Sequence, residues 1–436
     1  MKSHHWPLVF AVVLPTLLPA ATVAPSWEHP PHQQTRGVFW REHWYARGLT
    51  NGNPSYERRF RINSPEASLH PIFGRRVEAR ENGLMLIQCE EDLFQITGAE
   101  FYAELWGGHP GTANKRVTMN GRSTYQLPRA GTENGHCTYP YPVLPLRITD
   151  LVNGWNAVQW ALDQGTTFWG HALVDNACLR VALTNGHADL VKLGLHNFEA
   201  SVDAAVSAEG EGVAIKLNVD DSFVSRIARV DFQAWYSGYD ENGDLRDTDW
   251  HGFTKNREPM AYVGARTSAP FDVTWDTSMI PAQKNVAGRA LVRFKDTPGL
   301  VFVTEATRGL AVAERRGRAV ALYAPPDLPP GFWSRANQRK SCSLVLDVEP
   351  SRIERAELCV ITWTGGAGEV KDYFRLNGRH FPVAEGHRHE IQFNRIPIEP
   401  ALLRPGTNTI ELLSDTLHHG IEVIYPGPAL MVRYRF

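Results

Sequence analysis

The strongest constraint on the fold of this chain is an internal repeat. Residues 99–122 (AEFYAELWGGHPGTANKRVTMNGR) align without a gap with residues 356–379 (AELCVITWTGGAGEVKDYFRLNGR). The positions that recur include Ala99, Glu100, Trp106, Gly108, Asn120, Gly121 and Arg122, matched by Ala356, Glu357, Trp363, Gly365, Asn377, Gly378 and Arg379. A second block, PLRITDLVNGWN at 145–156, matches PIEPALLRPGTN at 397–408. Matching blocks in the same order predict one structural unit that occurs twice.

The repeated unit has the pattern of a β-sandwich. Residues alternate between polar and apolar in 100–105 and 357–362, as they do in strands with one buried face. The Asn-Gly pairs at 120–121 and 377–378 predict tight turns, because both residue types tolerate positive φ. Neither copy contains a long stretch with helical periodicity, so the sequence predicts strands throughout.

A resemblance to a known family follows from these motifs. The strand that leads into LNGR, the later PGTNTIEL and a final apolar strand resemble the galactose-binding-like jelly-roll modules of secreted glycan-active proteins. The resemblance covers about 76–195 and 332–436. It implies a jelly-roll fold and, in many such modules, a bound sugar, although others serve only as scaffolds.

Between the two copies lie short strand-like runs separated by turn signals. The runs VDFQAWYSGYD and APFDVTWDTS resemble bacterial immunoglobulin-like modules of exported proteins. We therefore expect an all-β chain of tandem β-sandwiches in the order jelly roll, immunoglobulin-like, jelly roll. The expected divisions are a signal peptide (1–24), an N-terminal extension (25–75), the first jelly roll (76–195), the middle sandwich (196–324) and the second jelly roll (325–436). The extension contains Trp40 and Trp44 and is expected to add a strand across the modules or to line a cleft.

The N-terminus has the pattern of a secretion signal. Lys2 precedes an apolar stretch from Trp6 to Leu18, and small residues follow up to Ala24. The apolar stretch is shorter than the ~20 residues that span a bilayer, which favours cleavage near Ala24 over a membrane anchor. We expect an extracellular protein with no membrane span. The net charge of −2, without a basic stripe, makes nucleic acid an unexpected partner.

The cysteines give no metal-binding pattern. There are five of them, with neither CxxC nor zinc-type spacing: Cys89, Cys137, Cys178, Cys342 and Cys359. In an exported protein some can pair, and the odd number leaves at least one unpaired within the chain. The spacing does not specify the pairs.

An acidic loop in the middle module predicts a calcium site. Oxygen-bearing side chains alternate at Asp240, Asn242 and Asp244, and Gly243 permits a sharp bend. Asp249, or Asp247, together with a backbone carbonyl can complete six or seven ligands. Because His251 stands where an EF-hand has its last glutamate, this is a looser D-x-N-x-D loop, and we expect Ca²⁺ to stabilise it structurally. The alternative is a solvated acidic turn.

The first copy carries longer loops than the second, and its loops hold the candidate site. Candidate catalytic side chains are His109, Glu133, His136, His171 and Asp175, and candidate sugar-stacking rings are Tyr139, Tyr141 and Trp169. Loops at one end of a sandwich converge in space, which is why these residues are grouped. Two more specific hypotheses remain open. The three histidines could bind a metal ion, or Glu133 and Asp175 could form the carboxylate pair of a glycosidase, which needs carboxyl groups ~5–10 Å apart.

No hydrolase elbow, phosphate loop or HExxH motif is present. The leading hypothesis is therefore a secreted carbohydrate-binding protein without catalytic activity. The first alternative is a secreted glycan-active enzyme, a hydrolase or a lyase, with its site in the first jelly roll. The second is a structural or adhesive surface protein.

Overall fold

The structure is a computed structural model that describes residues 24, 26–45, 60–62, 83–107, 112–127, 132–133, 136–163, 172–207, 210–239, 248–255, 257–332, 338–364, 373–381, 390–414 and 421–436. For some residues at the edges of these ranges, among them Phe60, Arg61, 132–133 and 136–137, only the backbone is described. Strands dominate the described residues, which confirms the all-β class predicted from the sequence.

The N-terminal part of the chain forms eleven strands among the described residues. They are β1 (Val38–Trp44), β2 (Phe60–Ile62), β3 (Leu84–Cys89), β4 (Ile96–Trp106), β5 (Ala113–Met119), β6 (Ser123–Gln126), β7 (Thr132–Glu133), β8 (His136–Cys137), β9 (Val143–Leu146), β10 (Gly154–Asp163) and β11 (Ala172–Leu183). Helix α1 (Ala188–Lys192) follows, and 3-10 turns lie at Pro31–Gln33, Leu93–Gln95 and Ile148–Asp150.

The middle part continues with further strands and one short helix. They are β12 (Ala200–Val206), β13 (Gly212–Val219), helix α2 (Asp221–Val224), β14 (Ile227–Ser237), β15 (Thr248–His251), β16 (Thr254–Lys255), β17 (Glu258–Pro259), β18 (Gly264–Arg266), β19 (Asp272–Asp276), β20 (Gln283–Phe294), β21 (Leu300–Val303) and β22 (Thr307–Val312).

The C-terminal part consists of strands with two 3-10 turns, Pro350–Arg352 and Pro400–Leu402. The strands are β23 (Arg318–Tyr323), β24 (Gln338–Leu346), β25 (Ile353–Thr364), β26 (Phe374–Leu376), β27 (Arg379–His380), β28 (Glu390–Ile398), β29 (Gly406–Ser414), β30 (Ile421–Val423) and β31 (Ala429–Arg435).

One large sheet, called here the central sheet, runs through the N-terminal and middle parts. Its order is β15-β14-β20-β21-β1-β11-β4-β9, with β2, β18 and β22 paired at its margins. Strand β1 joins the two parts, because it pairs antiparallel with β11 on one side and with β21 on the other. The predicted role of the extension as an extra strand is thus confirmed for Val38–Trp44.

Two smaller sheets cover one face of the central sheet. The sheet β3-β10-β5-β6 faces its N-terminal half, and β12-β13-β19 faces its middle half. A single apolar cluster fills the space between these layers, from Phe101 and Trp160 at one end to Phe232 and Trp275 at the other. Burial of this continuous core supplies the main driving force that holds the two parts together.

The C-terminal part is a separate sandwich with its own core. The sheet β23-β31-β25-β28 packs on the sheet β24-β29-β26-β27, and Leu358, Phe374 and Ile410 lie fully buried between them. The outer face of the first of these sheets contributes Cys359, Ile361 and other side chains to a third cluster, shared with the second face of the central sheet. The second face of the central sheet is therefore largely an internal surface.

The two Asn-Gly turns have equivalent hydrogen bonds. Asn120 donates to Asn156 Oδ1 at 2.8 Å, and its own Oδ1 accepts from the amide of Ala157 at 2.9 Å. Asn377 donates to Asn408 Oδ1 at 2.8 Å, and its Oδ1 accepts from the amide of Thr409 at 3.0 Å. Both asparagines have positive φ, 50° and 52°. Asn120 and Asn377, which are aligned in the sequence, thus have the same local geometry.

The structure leaves the predicted division of the chain into modules untested. The jelly-roll and immunoglobulin-like topologies and the module boundaries stay predictions. Among the described side chains, Cys89, Cys178, Cys342 and Cys359 are buried, and no two of these four form a disulfide; the side chain of Cys137 lies outside the described set. In the described part of the chain, no helix has the length and apolar character that crossing a bilayer requires.

Candidate functional site

The structure describes some of the candidate residues and not others. The side chains of Asp175, Tyr139, Tyr141 and Asp249 are described, and Glu133 and His136 are described as backbone in the short hairpin β7–β8. The remaining candidates lie outside the described residues: His109, Trp169, His171, Asp240, Asn242 and Asp244. The glycosidase pair, the three-histidine site and the calcium site therefore stay predictions.

Two of the candidate residues are in direct contact. The hydroxyl of Tyr139 donates a hydrogen bond to Asp175 Oδ2. The rings of Tyr139 and Tyr141 meet edge to face at 5.6 Å, and both rings are buried. These side chains lie at the same end of the central sheet, in the apolar cluster on its second face.

The loops that carry the candidate histidines leave the sheet at neighbouring points. Strands β4 and β11 are paired there, with Trp106 opposite Leu173. His109 follows Trp106 by three residues and His171 precedes Leu173 by two. The expectation that loops of the first copy converge at one end stays a prediction, because His109 and His171 lie outside the described residues.

A buried carboxylate that sequence analysis did not single out lies at this same end. Alternation along β4 directs Phe101, Ala103 and Leu105 into the main core, and directs Tyr102 and Glu104 to the second face. Glu104 is fully buried and accepts a hydrogen bond from Asn176 Nδ2 at 2.7 Å. A buried carboxylate needs such donors, because loss of water otherwise disfavours its charge.

The middle part of the chain completes the surroundings of this carboxylate. The amide of Arg257, in the β16–β17 turn, donates to Glu104 Oε1 at 3.3 Å. The hydroxyl of Tyr102 donates to the carbonyl of Thr254 at 3.0 Å and lies 3.4 Å from Glu104 Oε1. Thr254 Oγ1 donates to the hydroxyl of Tyr102 at 2.6 Å. Burial, and then the charge of Glu104, raise the pKa of Tyr102 well above its ordinary value, so the phenol stays a neutral donor.

Partly exposed side chains border the buried carboxylate. Trp44 meets Tyr102 edge to face at 5.8 Å, and the guanidinium carbon of Arg257 lies 5.3 Å from the centre of the Trp44 ring. Arg257 has φ of +69°, a conformation that costs energy for a residue with a Cβ and that is concentrated at functional sites. We call Trp44, Tyr102, Glu104, Asn176, Thr254 and Arg257 the Glu104 cluster.

One feature of the sequence could have indicated the Glu104 cluster. In AEFYAELW, Glu100 and Glu104 share a strand face with Tyr102, and two carboxylates on one face of an otherwise apolar strand are unusual. Asn176, Thr254 and Arg257 carry no comparable signal. They come from other strands, and only the tertiary fold brings them to Glu104.

Farther along the same face lies a second group of buried charges. The guanidinium carbon of Arg180 is sandwiched 4.2 Å from the Trp27 ring and 4.2 Å from the Tyr102 ring. Arg289 lies 3.9 Å from the Trp250 ring and donates to the carbonyl of Trp27 at 2.7 Å. The amide of Trp27 in turn donates to Glu100 Oε1 at 3.1 Å, so the segment 26–34 lies against this face.

The carboxylate of Glu100 has an unusual environment. Burial raises its pKa to about 7, against smaller opposing effects of a hydrogen bond from Ser26 and of the charges of Arg180 and Arg289. Glu100 therefore changes charge near neutral pH although its side chain is buried.

One described group has the composition of a metal site. Ligand atoms of Glu91, His187 and Asp189 lie within 4.8 Å of one another. However, His187 Nδ1 accepts a hydrogen bond from the amide of Asp189 at 3.2 Å, so the proton of the neutral ring is on Nε2, which faces Glu91. Arg41 also reaches both carboxylates at 3.1 Å. The arrangement fits an ion-pair network better than metal coordination.

Comparison with known proteins gives distant structural likenesses. No protein-family model and no curated protein matches the sequence. A β-porphyranase of glycoside hydrolase family 86 from the human gut bacterium Bacteroides plebeius is 14% identical, with a TM-score of 0.23 over 54% of this chain and 37% of that chain. The structure of BuGH86wt in complex with neoagarooctaose is 11% identical, with a TM-score of 0.23 over 54% and 33%.

A β-glucuronidase of Parabacteroides merdae gives a similar result. It is 12% identical, with a TM-score of 0.18 over 55% of this chain and 28% of that one. The matched regions thus span about a third of those enzymes. Likenesses at these TM-scores assign neither a fold nor a function to the chain.

Proposed function

We propose that the protein is a secreted carbohydrate-binding protein and that the Glu104 cluster is its sugar-binding site. The observation that carries the proposal is a buried carboxylate, Glu104, hydrogen-bonded by fixed donors beside a partly exposed tryptophan and arginine. Binding sites for small polar ligands combine an aromatic wall with a few positioned polar groups in this way.

Each part of the cluster has a role in holding a sugar. The Trp44 ring offers an apolar face to the C–H groups of a pyranose, and Arg257 donates to ring substituents. Glu104 and Asn176 orient the site, since their hydrogen bond fixes both side chains. The positive φ of Arg257 belongs to the two-residue hairpin loop between β16 and β17, and this turn places its guanidinium beside the Trp44 ring.

The position of the cluster between parts of the chain supports the same proposal. Trp44, Tyr102 and Glu104 come from the N-terminal part, whereas Thr254 and Arg257 come from the middle part. In the same β16–β17 hairpin, Lys255 donates to the carbonyl of Ile391 in the C-terminal part at 2.7 Å. Junctions between modules are frequent ligand sites.

The wider proposal includes features taken from the sequence. We infer that residues 1–24 direct export, that the acidic loop 240–249 binds Ca²⁺, and that the N-terminal and C-terminal sandwiches arose by duplication. The equivalent hydrogen bonds of Asn120 and Asn377 support the duplication.

A glycan-binding measurement tests the proposed function. The purified full chain is applied to an array of neutral and acidic glycans, and the affinity for the best ligand is then measured for Trp44→Ala and Arg257→Ala. Loss of a central aromatic contact should weaken binding about thirtyfold. Reducing-end release is followed in the same samples, because steady product release would place the protein among the enzymes instead.

Matched controls come from exposed residues elsewhere. Trp155→Ala removes a tryptophan that is 49% exposed on β10, and Arg339→Gln removes an exposed arginine on β24. Both should bind like the unmodified protein. The proposal is wrong if no glycan binds, or if Trp44→Ala and Trp155→Ala bind equally well.

A further inference from the structure

A row of arginines crosses the outer face of the sheet β23-β31-β25-β28. We call it the arginine row, and it consists of Arg318, Arg355, Arg395, Arg433 and Arg435. Strand pairing brings these residues together from distant parts of the sequence: Arg318 lies opposite Arg435, and Arg355 lies opposite Arg433.

The arginine row lies on the face away from the C-terminal core. Along β31, Leu430 and Val432 point into the core of the sandwich, whereas Met431 belongs to the cluster on the other face. Arg433 is two residues beyond Met431 and therefore shares its face. One half of this face is apolar and packs on the rest of the molecule, and the other half carries the arginines.

The carboxylates in the row are shared among several arginines. Glu354 lies 2.9 Å from Arg318 and 3.2 Å from Arg433, and it also binds Arg435. The hydrogen bond from Arg435, followed by that from Arg318, lowers the pKa of Glu354, so this carboxyl remains ionised.

A second carboxylate is shared in the same way. Glu357 lies 2.9 Å from Arg395 and also binds Arg355, while Glu211 of the middle part binds Arg433. Five guanidinium groups thus share three carboxylates. The buried Arg315 and the nearby Asp276 add one charge of each sign. Within this set of ion pairs, guanidinium groups therefore outnumber carboxylates by two.

The excess charge is accessible to solvent. The exposed side-chain fractions are 68% for Arg435, 50% for Arg355, 42% for Arg395 and 40% for Arg318. Each guanidinium carries five N–H donors in a planar fork, more than its bonds to one shared carboxylate can use. Donors of the row therefore face water.

From this arrangement we propose that the arginine row binds anionic polysaccharide, a chain whose sugars carry sulfate or carboxylate groups. Guanidinium forks match both groups with two parallel hydrogen bonds. The glutamates between the arginines accept hydrogen bonds from sugar hydroxyls. The phosphate backbone of DNA offers no hydroxyl donors to these carboxylates, which favours polysaccharide over nucleic acid.

Binding of the full chain to defined polymers tests this proposal. The probes are dextran sulfate, polygalacturonate and uncharged dextran of matched length, measured at low and at high salt. We expect binding to at least one of the two anionic polymers, none to dextran at the arginine row, and weakening with salt. The double variant R318Q/R435Q should lose about tenfold or more in affinity for the anionic polymer, because Glu354 then keeps only Arg433 and two exposed cations are gone.

The controls separate this site from general charge effects and from the Glu104 cluster. Arg339→Gln removes one arginine of similar exposure that pairs with Glu411 on the other sheet, and should leave binding unchanged. R318Q/R435Q should keep the affinity of the unmodified protein for a neutral glycan that binds at the Glu104 cluster, so the two sites fail independently. Thermal unfolding checks that each variant is folded, and Arg395→Gln replaces the double variant if that one is not.

Three results would overturn the proposal. The first is absence of salt-dependent binding to both anionic polymers. The second is an equal loss of affinity in R339Q and in the arginine-row variants. The third is tighter binding to duplex DNA or to phosphatidylserine vesicles than to either anionic polysaccharide, which would assign the row to a different class of partner.

Discussion

The side-chain amide of Asn120 donates a hydrogen bond to the side-chain carbonyl of Asn156 at 2.8 Å. Asn156 is fully buried and also donates to the carbonyls of Val152 and Gly154 at 2.8 and 3.1 Å. Its Oδ1 accepts from the amide of Val152 at 3.0 Å. This asparagine pair closes two loops at one end of the N-terminal sandwich, and Asn377 with Asn408 does the same in the C-terminal one.

Substitution of either buried asparagine should destabilise its own sandwich. Asn156→Ala and Asn408→Ala each leave several backbone groups without a partner, and we expect each to cost about 2–4 kcal/mol. Urea denaturation monitored by tryptophan fluorescence measures the effect. Gln126→Ala, an exposed amide on β6, is the control and should change the free energy of unfolding by less than about 0.5 kcal/mol. Equal stability of Asn156→Ala and the control would contradict the prediction.

Trp27 should matter more for stability than its place near the start of the chain suggests. Its ring is 3% exposed, and it lies against Arg180 and the Trp40 ring. Trp27→Ala removes this contact and leaves a cavity beside a buried cation, at an expected cost of about 3–5 kcal/mol. The matched change Trp155→Ala should cost little. The prediction is checked by thermal unfolding of both variants, and similar melting temperatures would count against it.

Stability should fall as pH rises from about 4.5 to about 7, with Glu100 as one cause. Its pKa is raised to about 7 in the folded protein from an ordinary value of 4.5. A raised folded-state pKa means that the stabilising contribution is complete below pH 4.5 and is lost progressively up to about pH 7.

Glu100→Gln tests this assignment. The amide keeps an acceptor for the amide of Trp27 but does not ionise, so the variant should gain up to about 3 kcal/mol relative to the unmodified protein between pH 5 and pH 8. Melting temperatures across that range provide the measurement. Parallel pH profiles for the two proteins would show that Glu100 is not the group responsible.

The positive φ of Arg257 gives a way to separate stability from binding. Arg257→Gly and Arg257→Ala both remove the guanidinium, so both should lose sugar affinity to the same extent. Because glycine adopts φ of +69° without strain, the glycine variant should be more stable than the alanine variant by about 1 kcal/mol. Unfolding and glycan-binding measurements on the same preparations check both statements, and a less stable glycine variant would refute the second.

The buried thiols should be unreactive in the native protein. Burial raises the pKa of Cys89 to about 12 and that of Cys359 to about 12, and it raises the pKa of Cys178 well above its ordinary value. Because the thiolate is the reactive form, Ellman's reagent at pH 8 should label none of these three until the protein is unfolded. Labelling of Cys89, Cys178 or Cys359 in the native state, located by peptide mass spectrometry, would contradict the prediction.

Much of the fold follows from local pattern. The alternation in AEFYAELW and in AELCVITW predicted strands that the structure places at β4 and β25, and the Asn-Gly pairs predicted turns that have positive φ at Asn120 and Asn377. These features are local, because strand periodicity and turn conformation depend on neighbouring residues. For the segment that forms strand β1, the sequence left two possibilities open: an added strand across the modules, or a segment that lines a cleft.

Few residues of the candidate site could be predicted from local sequence patterns. Tyr139 and Asp175 were grouped from their loops and do form a hydrogen bond, but Glu104, Arg257 and the arginine row were not singled out. Their significance depends on partners far away in the sequence: 153 residues separate Arg257 from Glu104. The local sequence around a charged residue on a strand is the same whether its side chain binds a buried amide or water, so it does not reveal the partner.

By itself, the sequence determined the all-β class and the two Asn-Gly turns, because hydrophobic alternation and turn chemistry act over a few residues. Only the tertiary structure decided that β1 joins two parts of the chain into one sheet, and that four arginine-containing strands place their arginines on one face. The physical reason is that pairing between strands far apart in sequence depends on which faces of the sheets can be buried together. No local sequence pattern specifies that pairing uniquely.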